Sequence, residues 1–236
     1  MAPGETLLQT DTEATLRAVL KQAADEAMRS GCDAVIASGD LAHTPTVSVY
    51  ERFLNILNDY FSVPMLTLPG NHDVLHAMQE AGMSMNPIIW EDWHLQGLDS
   101  HEDDRPKALV SELDRQAVAQ GLAQGAARWV LLATHHPLVA VDCPWLDKDR
   151  IIGPLELMNW LHDASGQRLR GAVFGHAHQE VAGRVGAWPV FGVPSTCFQF
   201  QPRSVKFAVD DNDPGYQWLT LAVDGTVKRA VSRVSL

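Results

Sequence analysis

The chain has 236 residues, 46% of them hydrophobic and 20% charged, the balance of an ordinary globular protein rather than a disordered or membrane-embedded one. Lys and Arg number 18 against 29 Asp and Glu, a formal charge of −11, and with no basic block this disfavours general nucleic-acid binding and docking on anionic membranes. Cys32, Cys143 and Cys197 are widely spaced, with no C-x-x-C, no secretory leader and no bilayer-length apolar run, a pattern that argues against a disulfide framework and fits a cytoplasmic location.

Thr10-Asp11-Thr12-Glu13 has the form of a capping box opening a helix. Leu16, Val19, Leu20, Ala23 and Ala27 then recur at helical spacing, and Gly31 stops the helix. A strand at 34–37 leads into Ser38-Gly39-Asp40. A second helix starts after Pro45, with Tyr50, Phe53, Leu54, Leu57 and Phe61 on its apolar face, an aromatic stripe that reads as core packing. The strand at 63–68 leads into Pro69-Gly70-Asn71-His72-Asp73, followed by a short helix at 74–82.

Residues 87–99 hold one or two strands, and 101–106 form a solvated acidic loop. A helix at 110–124 precedes the strand at 129–133, which leads into Thr134-His135-His136-Pro137. Pro154 opens a helix to residue 163. The strand at 171–175 ends in Gly175-His176-Ala177-His178. Beyond 180 come short β-type runs at 181–185, 188–193, 196–200, 205–209, 217–223 and 227–234, with Asp224-Gly225 as a hairpin turn. No repeat or linker divides the chain, so 1–236 reads as a single domain, α/β at first and mostly antiparallel afterwards.

Four strands, taken in order, thus end in Asp40, Asn71-His72, His135-His136 and the pair His176/His178. In an open α/β sheet ligands bind at the carboxyl ends of the strands. On an extended backbone residues i and i+2 face the same way, so His176 and His178 can reach one point. Imidazole is the commonest protein ligand for transition metals. Singly, each segment has a plain structural reading: surface histidines, a turn asparagine, a helix-capping aspartate. All four in order read better as a metal centre. His94, His101 and His162 carry no motif and read as ordinary surface or core histidines.

Together, Gly39-Asp40, Gly70-Asn71-His72-Asp73, His135-His136-Pro137 and Gly175-His176-Ala177-His178 resemble the calcineurin-like metallophosphoesterases. Trp145-Leu146-Asp147, His178-Gln179-Glu180, the run 194–200 and the run 214–219 look like the bacterial class III 3',5'-cyclic-AMP phosphodiesterases of the CpdA type. The resemblance covers the chain from about residue 7 onward. It implies a four-layer αββα sandwich and two metal ions (Fe, Mn or Zn) at the strand ends. It implies Asp40 bridging both metals, Asn71, His135 and His176 completing one site, and His178 in the other. His72 would touch the phosphate and assist the leaving group, and Asp73 would orient His72. His135 is taken as the ligand because in the family the ligand lies two residues before the proline, which leaves His136 structural.

The implied reaction is hydrolysis of a small phosphodiester, cyclic AMP foremost, to the 5'-monophosphate by a metal-activated hydroxide. Two readings stay beside it: an esterase acting on another phosphoester, and an inactive metal- or nucleotide-binding form. A homodimer is a possible assembly. The family opens on a strand ending in D-x-H, whose two residues bind the first metal. No such motif precedes the first helix here. The first strand is therefore expected to be missing, through a late start, a truncation or a natural short form. Asp11 is expected to cap a helix rather than to bind metal, and only one metal is expected to be held fully.

Overall fold

The structure is a computed structural model and describes residues 4, 6–103 and 105–236, so that Asp104 of the acidic loop lies outside the described residues. The chain enters through a short antiparallel pair, β1 (Thr6–Leu7) and β2 (Thr10–Asp11). Asp11 Oδ1 accepts the Ala14 N–H at 2.9 Å and so caps α1 (Thr12–Ser30). The expected box on Thr10 does not form. Thr10 is held in β2, and its presumed partner Glu13 is drawn away by Arg17 and Arg52 at 2.8–3.0 Å. The capping role expected of Asp11 is what the structure shows. α1 ends at Gly31, whose φ of 83° suits glycine and whose N–H reaches Ala27 O.

β3 (Val35–Ala37) runs parallel to β4 (Met65–Thr67), joined by α2 (Val47–Tyr60), which Thr46 caps. Leu16 and Leu20 of α1 pack with Ile56 and Leu57 of α2 over Val35 and Met65. A short helix, α3 (Leu75–Glu80), leads to β5 (Ile88–Ile89) and β6 (Trp93–Leu98). α4 (Glu112–Ala123) has a full capping box, Ser111 with Asp114. β7 (Trp129–Thr134), the single turn α5 (Pro144–Asp147), α6 (Pro154–Ala164) and β8 (Leu169–Phe174) follow, then β9 (Val181–Val185) and β10 (Trp188–Gly192).

These strands form a six-stranded sheet in the order β5-β6-β7-β8-β10-β9. β6, β7, β8 and β10 are parallel, and the two edge strands are antiparallel. The central strands are almost wholly apolar because both faces are covered. Leu132, Ala172 and Phe174 face Leu122, Leu157 and Leu161 of α4 and α6. Leu131, Ala133 and Val173 face Leu66, Leu68 and Ile36 of the other sheet.

The C-terminal part adds the pair β11 (Gln199–Phe200) and β12 (Val209–Asp210) and the hairpin β13 (Gly215–Leu221) with β14 (Val227–Arg233). Leu219 and Leu221 of β13 pack toward the six-stranded sheet, and Tyr216 packs toward α1. The hairpin therefore lies in the same layer as β3–β4, and the layers stack α, β, β, α. The runs expected at 196–200 and 205–209 shrink to two residues each, because Pro202 and Arg203, at φ 59°, turn the chain between them.

Among the described residues β3 pairs only with β4. Beside it runs a cavity of about 1270 Å³, walled by Leu16 and Val19 of α1, Ile36, Leu131, Val173 and Trp218. This is where the αββα pattern has room for one more strand. The cavity reaches Asp40, His176 and His178.

Candidate metal centre

Two glycines let the loops after β3 and β4 approach the loop after β7. A Cβ on Gly39, at φ 98°, would lie 2.3 Å from His135 Nδ1, and one on Gly70 would lie 2.2 Å from Asp40 Oδ1. Neither contact is tolerable, so the closeness of these loops is written in the two glycines. Asp40, His176 and His178 themselves have φ of 56°, 59° and 50°. Left-handed backbone is uncommon for non-glycine residues and gathers at functional sites.

His135 donates Nδ1–H to Ser38 O at 2.7 Å, which leaves Nε2 with its lone pair. That nitrogen lies 3.2 Å from Asn71 Oδ1, 3.2 Å from His176 Nδ1 and 3.4 Å from Asp40 Oδ2. His176 Nδ1 is 2.8 Å from Asn71 Oδ1, and its buried Nε2 has no partner. Four donor side chains therefore converge on one point. His178 donates Nδ1–H to Phe198 O at 2.9 Å, so its Nε2 keeps a lone pair, and it lines the same cavity as Asp40 and His72. His72 is exposed; its backbone N–H donates to Asp40 Oδ1 at 2.9 Å, and its ring lies 5.9 Å from that of His43.

Burial pushes the Asp40 carboxyl up, but the charge and hydrogen bond of His135, with His72 and His176, hold it well below the usual carboxylate range. Burial alone lowers His135, yet Asp40 leaves it raised. Burial, with His135 and His136 beside it, holds His176 well below its ordinary value, and burial lowers His178 to about 4. The set is an ionised carboxylate, an amide oxygen and three imidazoles, of which His176 and His178 are held neutral while the Asp40 charge favours a proton on His135 that a cation binding there would displace. The His135 and His176 nitrogens 3.2 Å apart, with Asn71 Oδ1 between them, fit the same reading.

His135, His136 and His176 also bring ligand nitrogens within 4.8 Å of one another. His136 is nonetheless committed elsewhere. Its Nε2–H donates to Pro106 O at 3.1 Å and its Nδ1 accepts from Ser100 Oγ at 3.0 Å, while burial lowers it to about 3. It reads as a structural residue, in agreement with the expectation.

Asp73 behaves differently from the expected partner of His72. Its carboxylate accepts from the N–H groups of Leu41, Ala42 and Gly70 at 2.8–3.1 Å and from the Tyr50 hydroxyl at 2.9 Å. It ties the Asp40 loop to the Asn71-His72 loop, and these four donors, not the His72 ring, hold it. Tyr50, read from the sequence as plain core, supplies one of them, and the only hint was its place one helix after Asp40. A D-x-H triplet does follow a strand, at Asp99-Ser100-His101 after β6. There His101 binds Asp99 and Asp103 at 2.8 and 2.9 Å rather than facing Asp40.

The Calcineurin-like phosphoesterase family model matches residues 10–180. The chain belongs to that family. It is 32% identical to the 3',5'-cyclic adenosine monophosphate phosphodiesterase CpdA of Escherichia coli K12, over 98% of this chain and 84% of that one. It is 29% identical to the CpdA of Haemophilus influenzae, over 97% and 84%, and 30% identical to a 3',5'-cyclic-nucleotide phosphodiesterase of Nostoc, over 94% and 84%. Among solved structures it resembles GAP50 of the Plasmodium inner membrane complex (TM-score 0.57, 10% identity, 99% of this chain and 86% of that one). It also resembles PhoD (0.54, 11%, 92% and 65%). These two share the fold alone. As a calcineurin-like phosphoesterase the chain is a hydrolase whose family uses divalent metal ions. No helix among the described residues is long and apolar enough to cross a membrane.

Proposed function

We propose that this metallophosphoesterase hydrolyses 3',5'-cyclic nucleotides, cyclic AMP foremost, to the 5'-monophosphate, working as one domain in the cytoplasm. The observation that carries the reading is the convergence of Asp40, Asn71, His135 and His176 on one point, with His178 on the same cavity. The names of the relatives support the substrate class.

Iron, manganese or zinc held by these residues would supply Lewis acidity toward phosphoryl oxygens and make a water nucleophilic near neutral pH. Asp40 gives the charge that anchors the cation side of the site. Asn71 would offer its neutral carbonyl oxygen to the metal, leaving its amide N–H for a phosphate oxygen. His72, exposed at the mouth and hung by its backbone on Asp40, would donate a proton to the departing sugar oxygen. Asp73 keeps the His72 loop in register with Asp40.

The rival reading, a metal- or nucleotide-binding form without turnover, draws on the second position. There the residues assigned are only Asp40 and His178. The test is turnover by the purified, manganese-loaded chain of cyclic AMP, glycerophosphodiesters and phosphomonoesters in parallel. Cyclic AMP should be the best substrate. A faster glycerophosphodiester or monoester would displace the cyclic-nucleotide reading, and no turnover with retained metal would favour the binding form.

A further inference from the structure

We propose that an aromatic wall beside His178 receives a planar heterocyclic base of the ligand. The idea rests on the nucleotide reading above and concerns the part of the substrate remote from phosphate. Phe200 stacks on the His178 ring with centroids 4.2 Å apart and planes 12° off parallel. Phe198, whose carbonyl holds His178 Nδ1–H, has its ring 5.3 Å from that of His178. Trp145, at the start of α5, meets Phe200 edge-on at 5.0 Å. Phe207 closes the group, 5.4 Å from Trp145 and 5.7 Å from Phe200.

Trp145, Phe198 and Phe200 line the same cavity as Asp40, Asn71 and His72. The wall therefore begins on a histidine of the candidate metal centre and runs outward to Phe207, which is 53% exposed. None of the four rings is fully buried. Large apolar rings are stabilising when covered, and here they stay partly open around a polar, charged centre. A flat π-ligand whose phosphate met a cation held by Asp40, Asn71, His135 and His176 would cover them.

Stacking on such rings is tolerant of base identity, since every base has a π-face. The three phenyl rings offer no hydrogen bonds to base edges, and the one polar group of the wall, Trp145 Nε1–H, is buried. The wall should therefore reward ring area, purine above pyrimidine, with little choice between adenine and guanine.

The test is calorimetric binding of adenosine 5'-monophosphate and ribose 5-phosphate to the manganese-loaded 236-residue chain, with Phe198→Leu and Phe207→Ala beside wild type and melting curves to confirm folding. The nucleotide should bind wild type about tenfold tighter than the sugar phosphate, in line with a stacked base. Each variant should cut that ratio several-fold and leave ribose 5-phosphate binding unmoved. Equal binding of the two ligands by wild type overturns the proposal, as does equal weakening of both in the variants, or no binding of either. The ratio does not depend on turnover. A chain that hydrolyses no diester but keeps the ratio retains the base site and loses the diesterase reading.

Discussion

The Tyr50 hydroxyl donates to Asp73 Oδ1 at 2.9 Å and accepts the Val74 N–H at 2.9 Å. Tyr50 is fully buried and Asp73 nearly so. Through this pair α2 grips the loop that carries Asn71 and His72, while Asp73 grips the loop that carries Asp40. Tyr50→Phe removes one hydroxyl and leaves the Val74 N–H without its partner. Net loss of such a bond costs about 0.5–1.5 kcal/mol, and an orphaned buried donor about 1–3. Urea unfolding should show destabilisation of about 1–2 kcal/mol. Asp73→Ala should cost more, since it strips acceptors from Leu41, Ala42 and Gly70 together. A Tyr50→Phe midpoint equal to wild type would mean the hydroxyl contributes nothing.

Asp40 and His72 should fail in different ways. Asp40 lies among the converging donors, whereas the His72 ring stands exposed at the mouth. Asp40→Ala should empty the site first, seen as metal content after dialysis. His72→Ala should keep the metal and lose turnover, by about 10²–10⁴-fold if its role is proton donation. The reverse pattern, an empty His72→Ala site and a loaded Asp40→Ala site, would exchange the two roles.

His101 gives a pH signature away from the metal ligands. Burial pushes its imidazole down, but hydrogen bonds and charges from Asp99 and Asp103 raise it to about 9. The unfolded value is about 6.5. A raised histidine stabilises the fold fully below the unfolded value and loses that contribution as pH climbs through the folded value. Urea midpoints should therefore fall between about pH 6.5 and 9, and His101→Gln should flatten that slope. Parallel slopes in the two proteins would remove His101 as the cause.

Much of the site was legible because its chemistry lies in short contiguous motifs at strand ends. Asp40, Asn71, His135 and His176 meet as their positions after four strands imply, and the apolar runs of β7 and β8 reveal a sheet covered on both faces. What stayed hidden depends on side-chain direction. Tyr50 and Phe53 share one helical stripe, yet only Tyr50 carries a hydroxyl that meets Asp73. The Thr10 box looked sound locally but lost to strand pairing at Thr10 and to the two arginines around Glu13. His101 looked like a surface residue in an acidic loop, because nothing in the spacing tells that Asp99 and Asp103 fold onto either side of its ring.

Metal stoichiometry is the sharpest test of the centre. Asp40, Asn71, His135 and His176 form one complete donor set. The second position is left with Asp40 and His178, whereas catalytic metal sites commonly use three or more protein ligands. Two other candidates are engaged: Asp11 caps α1 through Ala14 N–H, and both ring nitrogens of His136 are hydrogen-bonded. Residues 1–236 should thus hold about one equivalent of manganese, iron or zinc tightly by elemental analysis after dialysis, with a second lost readily. Diester turnover should be weak, because clamping both the attacking and the leaving oxygen takes two ions. Chelation should lower the melting temperature as well as abolish turnover, since bound metal stabilises the state that binds it. Two tightly held equivalents with strong turnover would show that another side chain joins Asp40 and His178, and alanine scanning from Asp11 and His43 outward would find it.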